Sequence, residues 1–228
     1  MKLLSVFLTL VILALAAAVY YLYDINQKMQ SELDTLRAEM ETSNRMTHAL
    51  EARINDLSKE KDQEIERLKG TYNELVVGMK DEIEKGQIKI TQLEDGLSVS
   101  MVDKILFPSG EAEIKPDGIG VLERVGKVLK ETGRRIVRVE GHTDNVRIGP
   151  KLSKKFPTNW ELSTARATNV VRFLEEHVGI QPGRLQAVGV SQYHPVASND
   201  TLDGQSQNRR IEIALLPEIM AKKDSDGK

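Results

Sequence analysis

Two side chains of opposite charge stand out in the second half of the chain. Asp144 closes the run Gly141-His142-Thr143-Asp144, and Arg166 follows a stretch that opens Thr158-Asn159-Trp160-Glu161. Thr158 with Glu161 three places on has the pattern of a helix capping box. In the helix this predicts, Asn159, Ser163 and Arg166 are four and three residues apart and share one face. An aspartate and an arginine brought together could hold a zwitterion, the carboxylate taking an ammonium and the guanidinium fork a carboxylate. The same two side chains could instead bridge each other with no ligand at all. His142 and Asp144 also form a His-x-Asp pair. No third ligand lies near it in sequence, so a packed histidine is the plainer reading and no metal or cofactor is expected. The chain has no Gly-x-Ser-x-Gly, phosphate loop or paired-histidine helix, and nothing in it points to an enzyme.

The elements that must position these residues follow from pattern. Val102–Phe107 reads as a strand running into the Pro108-Ser109-Gly110 turn. Pro116 opens a helix with Leu122, Val125, Val128 and Leu129 at helical spacing, and Gly133 stops it. Ile136–Gly141 alternates as a strand. Trp160–His177 is a second helix, burying Leu162, Ala165, Val170, Phe173 and Leu174. Leu185–Val190 and Arg210–Leu216 supply two more strands. The order β-α-β-α-β-β over residues 101–216 predicts an α/β sandwich with one mixed sheet.

Composition divides the rest. The 228 residues carry a net charge of −2, which excludes a polybasic nucleic-acid binder of the usual kind. With no cysteine there is no disulfide, thiol nucleophile or lipid-carrying cysteine. All seven prolines lie at or after Pro108. Leu3–Tyr23 is apolar and about the length of a bilayer's hydrocarbon core, with Tyr20, Tyr21 and Tyr23 at its far end. Lys2 before the span and Asp24 after it predict an anchor with the N-terminus in the cytoplasm and the remainder exported. A cleaved signal sequence is the competing reading, through Ala14-Leu15-Ala16. Residues 24–98 hold 17 acidic against 11 basic side chains and no proline. There Leu33, Leu36, Met40, Leu50, Ile54 and Leu57 keep a three-four spacing. The pattern jumps from Ile54 to Ile65, then resumes at Leu68, Tyr72, Leu75 and Met79. A repeat near 3.5 with one stutter predicts a coiled-coil spacer, most simply a parallel homodimer. A single charged helix or a partly disordered spacer is the plainer alternative. Residues 217–228 read as a disordered tail.

Three ordered motifs, GHTDN at 141–145, NWELSTARA at 159–167 and NRRIEI at 208–213, resemble the OmpA-like peptidoglycan-binding domain found at the C-terminus of OmpA, Pal and MotB. The long loop between Asp144 and Asn159 and the run FPTNWELS are similar to the MotB-like branch. The resemblance implies a periplasmic domain that binds diaminopimelate in the peptide stem of peptidoglycan without covalent chemistry. By motif it assigns the clasp to Asp144 and Arg166, with Thr143 and Asn159 in support and Arg210 close by. It departs from the family at Gly110, where OmpA commonly has asparagine. Pal-type proteins need a lipid-bearing cysteine and OmpA a barrel, and this chain has neither. MotB-type stators carry an acid in the membrane helix, whereas Leu3–Tyr23 contains none. The expectation is a tether joining the inner membrane to the wall. The alternatives are a MotB-like subunit of an ion-driven motor and a secreted or outer-membrane-associated wall binder.

Overall fold

The computed structural model describes residues 2–218, with side chains from residue 7 onward. The chain divides into two units, Met1–Asp62 and Gln63–Lys228. Of the expected tail, only residues 217 and 218 fall among those described.

The first unit is the greater part of one helix, α1 (Lys2–Gly78). The apolar side chains from Phe7 to Tyr23 lie exposed along it. Among the described residues, this is the one helix long and apolar enough to cross a membrane. Past the apolar stretch, the helix carries ion pairs one turn apart, Lys28–Asp24 at 2.8 Å and Arg45–Glu41 at 2.7 Å. Such exposed pairs add about 0.3–0.5 kcal/mol each. Leu33, Leu36, Met40, Leu50, Ile54 and Leu57 are all open to solvent.

The second unit begins with the last turns of α1, and here the same apolar spacing has a different fate. Leu75 and Met79 are fully buried, and Leu68 and Tyr72 pack beside them in the core of the domain. Arg135 ties the helix down, its Nε donating to Glu64 Oε1 at 2.7 Å and its Nη1 to the carbonyl of Asp95 at 2.6 Å. Leu68, Tyr72, Leu75 and Met79, expected as the last members of a coiled-coil seam, are therefore covered by their own chain.

After α1 come a short helix α2 (Lys80–Glu84) and a left-handed turn at Gly86 (φ 64°). Two strands follow, β1 (Ile88–Gln92) and β2 (Leu97–Val102). Residues 88–98, expected as the end of the spacer, thus belong to a β-hairpin. The strand expected at Val102–Phe107 lies five residues earlier. Leu97, Val99 and Met101 point into the core, and the chain then coils into α3 (Asp103–Leu106). Pro116 opens α4 (Pro116–Lys130), which leads past Gly133 (φ 67°) to β3 (Ile136–His142). Next is α5 (Asn159–Phe173), whose helical coil widens to a π turn over Leu174–Val178 before Gly179 (φ 78°) ends it. The chain finishes with β4 (Leu185–Ser191), α6 (Leu202–Asn208) and β5 (Arg210–Leu216).

The five strands form one mixed sheet in the order β1-β2-β5-β3-β4, in which only β3 and β4 run parallel. That pair needs a crossover, and α5 supplies it. One sheet face, through Val99, Met101, Val137, Val139, Ile211, Ile213 and Leu215, packs under Leu122, Val125 and Leu129 of α4 and Val170 of α5. Gly141 and Gly189 let α5 rest directly on the strands. A Cβ at Gly141 would run into the carbonyl of Ser163, and one at Gly189 into the side chain of Thr164. The fold is the mixed-sheet α/β architecture expected, with one strand more than the pattern disclosed.

If the last turns of α1 belong to this core, Leu75→Ala is expected to lower the domain's unfolding free energy by about 2–5 kcal/mol. Leu50→Ala, on the exposed stretch, is expected to change it by less than about 0.5 kcal/mol. Urea denaturation of the two variants checks this, and equal effects would contradict it.

Candidate functional site

At one end of the sheet, four charged side chains meet in a pocket of about 450 Å³, which Lys104 and Arg147 also line. Each comes from a different place in the fold. Asp103 is the first residue after β2, Asp144 the second after β3, Arg166 sits two turns into α5, and Arg209 immediately precedes β5.

Local structure fixes each one. The predicted capping box at the start of α5 is present: the Thr158 hydroxyl accepts from Trp160 N at 3.1 Å, and Glu161 accepts from Thr158 N at 2.7 Å. The hydrogen bond from the Thr158 side chain is the main reason the Glu161 carboxyl lies below its ordinary range. With the helix start pinned, Asn159 reaches across to the loop after β3. Its Nδ2 lies 3.2 Å from the carbonyl of Asp144, 3.0 Å from that of Val146 and 3.1 Å from Gln192 Oε1. The Thr143 hydroxyl donates to the same Asp144 carbonyl at 2.9 Å. Thr143 and Asn159 therefore shape the loop that presents Asp144.

Arg166 is buried. Its Nη1 donates to Asp103 Oδ2 at 2.9 Å and its Nε to the carbonyl of Glu111 at 2.8 Å, while the guanidinium lies 5.1 Å over the Phe107 ring. Its Nη2 makes no protein hydrogen bond among the described residues. Asp144 is occupied on both oxygens. Oδ1 accepts from Val146 N at 3.1 Å, and Oδ2 accepts from Arg209 Nη1 at 2.5 Å. Arg209 also leans towards Asp103, its Nε 3.8 Å from Oδ1. Asp144 and Arg166 do not bridge each other. Each has another partner, and the four charges balance in pairs.

Burial dominates the electrostatics. It pushes the Asp103 carboxyl above its ordinary value of 3.8, against the opposing pull of Arg166 and Arg209. Burial likewise lowers Arg166 from the usual arginine value, with Asp103 working against it.

Of the five residues singled out in the sequence, the structure gathers Thr143, Asp144, Asn159 and Arg166 at this pocket. Arg210 is elsewhere. In β5 the residues Ile211, Ile213 and Leu215 face the helices, so Arg210 and Glu212 take the opposite face. There Arg210 Nη2 pairs with Glu212 at 3.4 Å, and its Nη1 reaches the carbonyl of His194 at 3.3 Å. Arg209 is the arginine on the pocket side, and the two-residue period of the strand already contained that distinction. A strand over Val102–Phe107 hides Asp103 among its residues, whereas β2 ends at Val102 and leaves Asp103 at the pocket. His142 is turned away from Asp144, lying 3.6 Å from Glu140 and 3.9 Å from Glu212. Gly110 has φ 73°, a conformation that asparagine also tolerates, but Leu152 fills the space a side chain would need.

Residues 106–209 match the model of the OmpA family. The cell wall anchor of the T6SS from Pseudomonas aeruginosa is 31% identical with a TM-score of 0.57, the match covering 63% of this chain and 97% of that one. The chain belongs to the OmpA family. A putative MotB-like protein from Desulfovibrio vulgaris superposes with a TM-score of 0.62 at 28% identity, over 69% of this chain and 95% of the other. Motility protein B of Bacillus subtilis (strain 168) is 32% identical over 155 residues, 68% of this chain and 57% of that protein. The chain thus spans little more than half the length of that relative. What these neighbours share with it is the OmpA-like domain in its MotB-like form.

The raised Asp103 value has a measurable sign. The native carboxyl keeps its proton to higher pH than it does in the unfolded chain. This group therefore makes stability fall as the pH rises from 3.8 through its native value. Asp103→Asn is expected to flatten that slope in a series of denaturation curves at stepped pH. An unchanged slope would place its origin elsewhere.

Proposed function

We propose that the domain binds peptidoglycan non-covalently by clasping the free zwitterionic end of a diaminopimelate residue. The observation that carries this reading is the pocket's pairing of charges. Arg166 is held on one side by Asp103, Glu111 and Phe107 while its Nη2 is left unpartnered in a side chain that lines the pocket. That is the geometry of a guanidinium prepared for a carboxylate. Asp144 is the ammonium acceptor. Arg209 occupies its outer oxygen and must yield on binding, and Asp103 stands ready to receive it. Binding is then an exchange of one cation for another at Asp144, with no net charge added to the pocket. A ligand with an ammonium and no carboxylate would meet only half the site, so a lysine-type stem should bind poorly.

The names of the relatives, a cell wall anchor and a motility protein, support wall attachment as the setting. The exposed apolar start of α1 supports a single-pass inner-membrane anchor with the domain in the periplasm. With no acid in Leu3–Tyr23, a tether is favoured over an ion-conducting subunit. The exposed leucines between Leu33 and Leu57 support pairing with a second copy through that stretch.

Arg166→Ala and Asp144→Ala should each weaken binding to purified peptidoglycan roughly 10- to 150-fold, the worth of one charge-assisted hydrogen bond. Arg166→Lys should fail similarly, since an ammonium cannot reproduce the fork. Thermal melts on the same variants separate lost binding from lost folding. Unchanged affinity in well-folded alanine variants would remove the site.

Pairing of the rod is tested separately. Residues 24–65 should sediment as a helical dimer, and substituting Leu36 and Leu50 by lysine should return them to monomer. A monomer of low helicity before substitution would count against the pairing.

A further inference from the structure

Asp144 and Tyr193 leave the sheet at the same end and on adjacent strands. β3 and β4 are parallel neighbours, and beyond their last paired residues Thr143 N still donates to the carbonyl of Ser191 at 3.0 Å. Ser191 adopts a left-handed conformation (φ 57°), uncommon for a residue with a side chain, and it turns the chain sharply at this point. Gln192 then reaches back to Asn159, and the Tyr193 ring comes to lie 5.4 Å from that of Trp160, tilted by 31°.

The pair is firmly mounted. Ser163 Oγ donates to the carbonyl of Trp160 at 3.0 Å and accepts from Ser191 N at 3.1 Å, which joins the two aromatic-bearing segments through one hydroxyl. Yet Trp160 and Tyr193 are 46% and 62% exposed. Two large aromatic side chains, paired and open to solvent on segments that border a polar pocket, form a surface for a flat apolar ligand face.

We propose that Trp160 and Tyr193 form a stacking platform for a pyranose ring of the glycan strand. The inference rests on the wall-binding reading above and extends it from the stem peptide to the sugar that carries the stem. The small and charged residues of such a stem offer no large apolar side chain, whereas the C–H face of a pyranose is flat and apolar. The placement agrees as well. Two stem residues separate the sugar's lactyl group from diaminopimelate, so the two parts of the ligand call for neighbouring parts of one surface. Trp160 directly follows Asn159, which lines the pocket and whose Nδ2 lies 3.2 Å from the Asp144 carbonyl.

Trp160 is the chain's single tryptophan, so its emission reports on the platform directly. The full chain in detergent is titrated with a diaminopimelate tetrapeptide and with the same peptide carrying its disaccharide, following fluorescence and, for the variants, calorimetry. The disaccharide peptide should bind at least tenfold more tightly than the bare peptide and should alone shift the emission. Trp160→Leu and Tyr193→Ala should each bring its affinity down towards that of the bare peptide, which the variants should bind as the unsubstituted chain does. Equal affinity for the two ligands, or an equal loss of both in the variants, would overturn the platform. Disaccharide binding that needs Trp160 but not Asp144 would keep the platform and remove the diaminopimelate pocket. Binding of neither ligand would remove both.

Discussion

A buried guanidinium must be given partners, and much of this domain's upper end is arranged around that need. Arg166 draws on Asp103 at the close of β2, on the backbone at Glu111 and on the ring of Phe107. One stretch of chain, residues 103–111, is thereby held at three points against α5. Leaving such a charge unpaired would cost about 3–5 kcal/mol. Apolar residues of similar volume would often fold as well or better. Two acid–base pairs in this position are thus poorly explained by stability alone.

The parts of the structure legible in the sequence are those decided by neighbours along the chain. Thr158 and Glu161 cap α5, Pro116 starts α4, and β5 keeps its predicted bounds at Arg210 and Leu216 because its alternation is unbroken. Where longer-range contacts decide, the pattern misleads. A strand of five residues among Lys89, Glu94 and Asp95 looks like more charged helix until β2 is there to pair with it. Asp103 looks like strand until α4 is placed, because the backbone of Leu106 in that turn lies directly against Gly118. Which of Arg209 and Arg210 faces the pocket depends on which face of β5 is covered, and the alternation of Ile211, Ile213 and Leu215 carries that information.

The long apolar repeat of α1 is a related case. Its spacing changes between Ile54 and Ile65, and the division between the two units, after Asp62, falls inside that gap. On one side the leucines face solvent; on the other, Leu75 and Met79 are core residues. The stutter marks the point past which the apolar stripe is covered by its own chain. Periodicity reports that a face is apolar, and only packing reports what covers it.

The position of β1 and β2 in the sheet bears on where this chain can be cut. Both strands lie on one flank of β5, in the segment whose composition resembles the helix before it. A chain shortened to begin near Met101, where the prolines and glycines set in, would lose β1 and nearly all of β2. The hydrogen-bonding edge of β5 would then be bare, with Ile211, Ile213 and Leu215 alongside it. An unprotected, apolar strand edge is a template for pairing with other chains. In this protein the residues that look like a stalk also serve as the sheet's guard against aggregation.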